Sequence, residues 1–305
     1  MKLRVPGFAS LPVVLLLTAC GGAEPPPPEV PSTPLPPPVA VPPEPVAEVP
    51  VEEPQEPSLP DVSFGPTSPS EQPAKAPRVQ IVAPKMDQVL TGTPEDFAVK
   101  LDVKNWETQH GGPHVHLILD DRPYMAIYDP KEPIKLSSLL GPGEKLSEGE
   151  HRLVAFASRS NHESVKMKEA VSVVRFWVGK KDKSEWKPKT DPMLVYSRPK
   201  GTYNGSAADN ILVDWYLVNA KLGEEYQLRA TVHGPGIEET GRTLTVTEWR
   251  PLALDYARNG DYTITLELLD LEGNPVPGTW NTASRTITVN RDATDDKAPA
   301  PSQHH

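Results

Sequence analysis

The sequence predicts an all-β protein in which two β-sandwiches follow one another behind a long irregular leader. Three observations lead there. From Arg78 to about Asp292, short runs rich in Val, Ile, Leu, Thr, Tyr and Trp are divided by Gly, Pro, Asn and Asp, the pattern of short strands joined by turns. No long stretch sustains a 3.6-residue apolar period, so amphipathic helices are not expected. The runs also fall into two sets that echo each other.

The first set, residues 78–179, predicts strands near 79–83, 96–103, 113–119, 123–128, 134–137, 150–157 and 170–178. A charged connector follows at 180–192, opening Lys180-Lys181-Asp182-Lys183. The second set, residues 193–291, predicts strands near 193–196, 210–218, 225–233, 243–248, 251–255, 261–269 and 283–289. Val79-Gln80-Ile81-Val82-Ala83-Pro84 matches Met193-Leu194-Val195-Tyr196-Ser197-Arg198-Pro199 as an opening strand that ends at a proline. Glu148-Gly149-Glu150-His151 matches Arg258-Asn259-Gly260-Asp261-Tyr262. Within the later strand Tyr262, Ile264, Leu266 and Leu268 alternate with Thr263, Thr265 and Glu267, giving one buried and one wet face. Glu272-Gly273-Asn274-Pro275 reads as the turn into the last strand. The tail, residues 292–305, is polar and expected to be disordered.

Seven strands, twice, with Gly-Asp-Tyr262 at the head of a late strand, resemble the immunoglobulin-like and fibronectin-like sandwiches, in which a tyrosine at that place bonds back to the backbone. The resemblance implies a structural role for Tyr262, and for His151 at the equivalent place. The Cys…Trp…Cys spacing of antibody domains is absent.

Ahead of these domains, a basic start (Lys2, Arg4) and an apolar run end at Leu17-Thr18-Ala19-Cys20, which holds the only cysteine. The run is too short to span a bilayer and contains Pro6 and Pro12. The motif resembles the lipobox of bacterial lipoprotein precursors. That resemblance implies a signal peptide at 1–19, removal of which leaves Cys20 acylated, with palmitate among its chains, as a membrane anchor. Gly21 stands where an aspartate retains lipoproteins at the inner membrane, so the resemblance favours the outer membrane of the cell envelope.

Residues 20–77 read as a stalk. Twenty of the 38 prolines lie between Pro25 and Pro77, interspersed with Glu, Val and Ala. Proline cannot donate to a helix or a ladder, and the bulky apolar content is too low for a core. Extended polyproline II over residues 25–77 would reach about 160 Å. A proline-rich ligand for a partner is the alternative reading. The formal charge of the whole chain is −10, and loss of Lys2 and Arg4 makes it −12, which excludes non-specific nucleic-acid binding. With its one cysteine assigned to lipid, the chain has no structural disulfide or thiolate metal site.

Chemistry concentrates in the first sandwich. Four of the eight histidines, His110, His114, His116 and His162, lie there near one another. In Pro113-His114-Val115-His116-Leu117-Ile118-Leu119, period two puts Val115, Leu117 and Leu119 inward and sets His114 and His116 on the outer face, about 7 Å apart. With His162 from a later loop, they form a candidate zinc or copper site; an ordinary solvated pair is the alternative. The same outer face carries Ile118, Val154, Phe156, Val173, Arg175 and Trp177. They form an apolar, aromatic patch that is either a docking surface for an envelope protein, peptidoglycan or polysaccharide, or a surface covered by the second domain or the connector. Gly-x-Ser-x-Gly, His-Glu-x-x-His and phosphate-loop motifs are absent. Ser197-Arg198-Pro199-Lys200 matches S-x-x-K without its companion motifs and is set aside as coincidence. The function expected is therefore a lipid-anchored, non-catalytic binding or spacer module, with metal binding as the alternative.

Overall fold

The computed structural model describes residues 59–294. Cys20, the leader and the stalk up to residue 58 lie outside the described residues, as does the tail from 295. Among the described residues there is no α-helix, only four short 3-10 turns, and no helix is long and apolar enough to cross a membrane.

Sandwich one is built from eight strands: β2 (Arg78–Ala83), β3 (Gln88–Leu90), β4 (Ala98–Lys104), β5 (His114–Leu119), β6 (Met125–Ile127), β7 (Ile134–Lys135), β8 (Gly149–Ser158) and β9 (Val171–Val178). Sandwich two follows the same plan with β10 (Met193–Arg198), β11 (Thr202–Asn204), β12 (Asn210–Val218), β13 (Tyr226–His233), β14 (Arg242–Val246), β15 (Leu252–Asp255), β16 (Gly260–Asp270) and β17 (Thr282–Asn290). One sheet of sandwich one runs β2-β4-β7 and the other β3-β9-β8-β5-β6; their counterparts run β10-β12-β15 and β11-β17-β16-β13-β14. Element for element, the two domains have one topology, that of tandem immunoglobulin-like or fibronectin-like sandwiches. In each, the opening strand stops at a proline, which cannot donate to the ladder. The chain then crosses to the other sheet, where β3 and β11 pair in parallel with β9 and β17.

The corner residues explain why sequences so different at that place fold alike. Tyr262, third in β16, accepts from the Arg258 backbone amide at 2.7 Å and donates to the Pro235 carbonyl at 2.5 Å. His151, third in β8, does the same work with two ring nitrogens: Nε2 donates to the Ser147 carbonyl at 2.8 Å and Nδ1 meets the Asp120 carboxylate at 2.5 Å. Residues 147 and 258 lie equally far upstream of the two rings. Because both imidazole nitrogens face acceptors, the protonated form is favoured. Burial opposes it, but the Asp120 bond and charge outweigh burial and raise the His151 pKa above its ordinary 6.5.

The boundary of the stalk at residue 77 has to be corrected. β1 (Ser63–Pro66) pairs antiparallel with β15, Ser63 opposite Asp255 and Pro66 opposite Leu252. It becomes the outer strand of the β1-β15-β12-β10 sheet, the place that a fourth strand takes in the ABED sheet of an immunoglobulin domain. Val62 and Phe64, two apart, enter the core of sandwich two, each 5% exposed. The chain then crosses to sandwich one as a strap. There the Ser70 backbone amide donates to both Glu163 oxygens at 3.1 Å and its hydroxyl bonds the same carboxylate, while Arg159 reaches the Glu71 carbonyl at 2.8 Å.

The patch on the outer face of sandwich one is not a free docking surface. Ile118, Val154 and Phe156 are fully buried and form a third apolar cluster with Met193, Val195 and Tyr216 from β10 and β12, Trp186 from the connector and Trp280. Val173 packs against that cluster; Trp177 is buried, and Arg175 bonds Asp87 at 2.6 Å and the Trp186 carbonyl at 2.8 Å. The strand phase expected from alternation holds, because Leu153 and Ala155 point inward. The covering comes from the chain's own second domain and connector. Strands apolar on both faces need two cores, and each buried Ile or Phe side chain contributes about 1.5–3 kcal/mol to one of them.

A polar lock completes the interface. Asp214 on β12 is fully buried, with Oδ1 2.6 Å from Lys166 Nζ and Oδ2 accepting from the Ser164 amide at 3.0 Å. Asp214→Ala is expected to destabilise the protein by about 3–5 kcal/mol, since it leaves a buried ammonium unpaired; chemical denaturation with a loss below about 1 kcal/mol would contradict the lock. A second outcome concerns His151. Its raised pKa contributes stability that is complete below pH 6.5 and fades as pH rises through the folded-state value. Asp120→Asn should therefore cost more stability at about pH 6 than at about pH 8.5, and denaturation curves showing the reverse order would refute the charge assignment.

Candidate metal centre

β5 is buried along its whole length because both its faces are covered, one by each sandwich. His114 and His116 share a face, as period two requires, but neither is solvated: both are fully buried, and Ser197 of sandwich two reaches His116. His162 arrives from the turn after β8. It has φ of 68°, a left-handed conformation in which histidine is more frequent than most side chains. Its amide bonds the Arg159 carbonyl at 2.9 Å, and its neighbour Glu163 is clamped by the Ser70 strap. Thus the strap that joins the domains also fixes the loop that carries the third imidazole.

The three rings turn one nitrogen each toward a common point. His114 Nε2 is 3.0 Å from His116 Nε2 and 3.0 Å from His162 Nδ1, and the third side of the triangle is 3.4 Å. A tetrahedral metal at about 2.0–2.1 Å from its nitrogens separates them by about 3.3 Å. The three nitrogens would therefore be spaced to hold one such metal between them. The opposite nitrogens are already committed. His114 Nδ1 faces the Gly112 carbonyl at 2.8 Å, which can only accept, so this nitrogen carries the proton and Nε2 is bare. His116 Nδ1 meets Ser197 Oγ of sandwich two at 3.0 Å. Such outer hydrogen bonds fix ring orientation and tautomer around metals.

Electrostatics keeps the imidazoles neutral. Burial lowers the pKa of His114, drives that of His116 well down, and brings His162 to about 3, with Arg198 the next cause for His162. The bare His114 Nε2 accepts a hydrogen bond from a neighbouring imidazole when no metal is bound, at 3.0 Å from both His116 Nε2 and His162 Nδ1.

Around the triangle stand residues that the sequence did not mark. The Tyr124 ring stacks on His116 with centroids 3.5 Å apart, and its hydroxyl is 3.2 Å from His162 Nδ1. Arg198 Nε donates to that hydroxyl at 3.1 Å, and Lys200 Nζ bonds the Tyr124 carbonyl at 2.7 Å. Ser197, Arg198 and Lys200 are the stretch that matched S-x-x-K and was set aside. Its Ser197 hydroxyl is taken up by His116, and the stretch supplies three of the groups around the site. Arg198-Pro199 within it is a cis peptide. The available signal was the abundance of polar residues at the end of an opening strand that should have been wholly apolar. His110 does not join the triangle; it lies beside Tyr128, centroids 5.0 Å apart. Among the described residues, this triad is the group of three metal-ligating side chains with converging donor atoms.

No protein-family model matches the chain, and no curated protein does. Among solved structures, the chain is similar to the fibronectin(III)-like modules of Clostridium thermocellum CbhA, at 15% identity and a TM-score of 0.26 over 74% of this chain and 100% of that one. It is also similar to the FN1-FN3 domains of chicken CNTN1, at 10% identity and 0.22 over 70% and 68%. A third similarity is to a structure concerning host cell surface retention of a 1.5-MDa bacterial ice-binding adhesin, at 13% and 0.19 over 70% and 65%. The assignment of the fold rests on the strand order described above.

Proposed function

We propose that this is a lipid-anchored cell-envelope protein whose paired sandwiches form a non-catalytic head that binds zinc or copper through His114, His116 and His162. The observation that carries the reading is the triangle of three neutral ring nitrogens, two from buried histidines and one from the half-buried His162, with sides of 3.0, 3.0 and 3.4 Å. Neutral imidazole is the form that ligates, and these two metals accept three such ligands. Leu17-Thr18-Ala19-Cys20 and the proline-rich stretch behind it support acylation at Cys20, with palmitate among the chains, and a stalk that holds the head off the membrane. Gly21 in place of aspartate supports the outer membrane. The shared apolar cluster and the Lys166–Asp214 pair between the sandwiches support a head that moves as one body, so the protein also serves as a spacer. With the aromatic face of sandwich one covered, the reading assigns the head no external docking patch.

Isothermal titration of Zn(II) and Cu(II) into the purified metal-free protein, beside a His114→Ala/His116→Ala variant, checks the reading. One metal should bind with micromolar or tighter affinity to the parent protein, and at least 100-fold more weakly to the variant, equivalent to about 2.7 kcal/mol. Absence of binding by a folded parent protein, or unchanged affinity in the variant, would refute it.

A further inference from the structure

The turn that carries His162 is tied to an element remote from it in sequence, the N-terminal strap. The hold of β1 on sandwich two runs as far as Thr67, whose amide donates to the Pro251 carbonyl at 3.0 Å. The next anchored residue is Ser70, already on sandwich one, and only Ser68 and Pro69 lie between them. Three residue steps span at most about 10 Å, and the prolines at 66 and 69 narrow the backbone choices further. Docking of β1 beside β15 therefore delivers Ser70 to within reach of Glu163, and the second contact closes a very short loop at little entropic cost. The same holds in reverse.

Glu163 makes the contact matter to the histidines. Its side chain is 2% exposed, and Ser70 satisfies it three times, with the amide 3.1 Å from each carboxylate oxygen and with the hydroxyl. Arg159 stands farther off at 3.9 Å, its guanidinium donating to the Ser164 and Glu71 carbonyls. With Ser70 gone, a buried carboxylate would lose its hydrogen bonds, a costly state that the turn relieves by opening to water. His162 is the preceding residue, in the same turn, so opening carries its ring away from the triangle. His114 and His116 lie on β5 and stay where they are. Two states follow: strap docked with three nitrogens converged, or strap released with two.

We propose that the strap is a latch on the metal centre: the Ser70–Glu163 contact and the convergence of the three histidines form one two-state element, so that metal binding and docking of residues 63–70 strengthen each other. The inference rests on the metal-binding reading and adds its regulation. A ligand that binds one state better shifts the balance toward it, and the coupling between two sites is the same in both directions. Metal held by all three imidazoles thus fastens β1 to the edge of sandwich two. Conversely, anything that draws β1 and Ser70 away reduces the centre to the two imidazoles of β5.

The test is backbone hydrogen exchange of the full chain, with and without saturating Zn(II) or Cu(II), paired with titration of the same metals into variants. In the wild type, bound metal should slow exchange across residues 63–70 at least tenfold, while β14, the outer strand of the other sheet of sandwich two, keeps its rate. His162→Ala should still bind metal weakly through β5 but lose this protection. Ser70→Pro removes both the amide and the hydroxyl from Glu163 and leaves every histidine in place. It should bind metal at least tenfold more weakly, with unchanged exchange in β8 and β16 showing that both sandwiches remain folded. Glu163→Gln, a milder change, should weaken binding several-fold. Metal binding that leaves the 63–70 segment unprotected, protects β14 equally, or persists at full strength in folded Ser70→Pro would overturn the latch and leave the tri-histidine centre standing. Failure of the folded wild type to bind either metal would overturn both.

Discussion

The structure depends on one burial event: the outer face of the β8-β5 region of sandwich one is pressed against β10 and β12 of sandwich two. Ile118, Val154 and Phe156 meet Met193, Val195 and Tyr216 there, and Lys166 and Asp214 close the edge. Hydrophobic burial supplies the drive and has no direction of its own. The orientation comes from the polar bonds. Asp214 has both oxygens satisfied only when Ser164 and Lys166 are in place, and Arg285 reaches Asp121 across the same seam at 2.9 Å. A slip along the interface would strand a buried carboxylate, which is far more costly than loosening apolar contacts. The histidine cluster inherits this accuracy because it lies in the same seam.

Much of this was legible in the amino-acid sequence, for a definite reason. Alternation is a local property, so β5, β8, β12 and β16 could be located from their own residues. So could the inward phase of Val115, Leu117 and Leu119. The proline-terminated opening strands and the His151/Tyr262 correspondence were legible too, since they record backbone rules that any such sandwich obeys. What could not be read was long-range pairing. Val62 and Phe64 do show period two, but they sit among prolines, and their partners lie about 190 positions further on, at 252–255. The fate of Phe156 and Trp177 was likewise undecidable locally. An apolar outer face looks the same whether a second domain or a foreign partner covers it.

The site was half legible for the same reason. H-x-H on a strand puts two imidazoles on one face by geometry alone, and His162 was within reach from the loop that follows a neighbouring strand. Tyr124 lies beyond a tight turn in which Asp120 and Asp121 both adopt positive φ, 49° and 55°, so no periodic rule extends to it. Ser197, Arg198 and Lys200 belong to another domain altogether. Their polarity looked out of place at the end of a strand, and the reason becomes plain only when that strand's end is seen to lie over His116.

The position of β1 has a consequence for how the molecule comes into being. A ribosome makes residues 63–66 early, but their pairing partners are among the later residues of the second sandwich. Sandwich one can acquire its own core while β1 and the strap to Ser70 still dangle. Only after residue 255 has emerged can β1 close its sheet, draw Ser70 toward Glu163 and settle the His162 turn. Ser197 and Arg198 also appear after His114, His116 and His162 have all been made. The surroundings of the three histidines are thus completed by the second half of the chain, which adds the Ser197 hydroxyl on His116 and the Arg198 contact to Tyr124. Synthesis of the histidines therefore runs ahead of the assembly of their surroundings, which waits on the second sandwich.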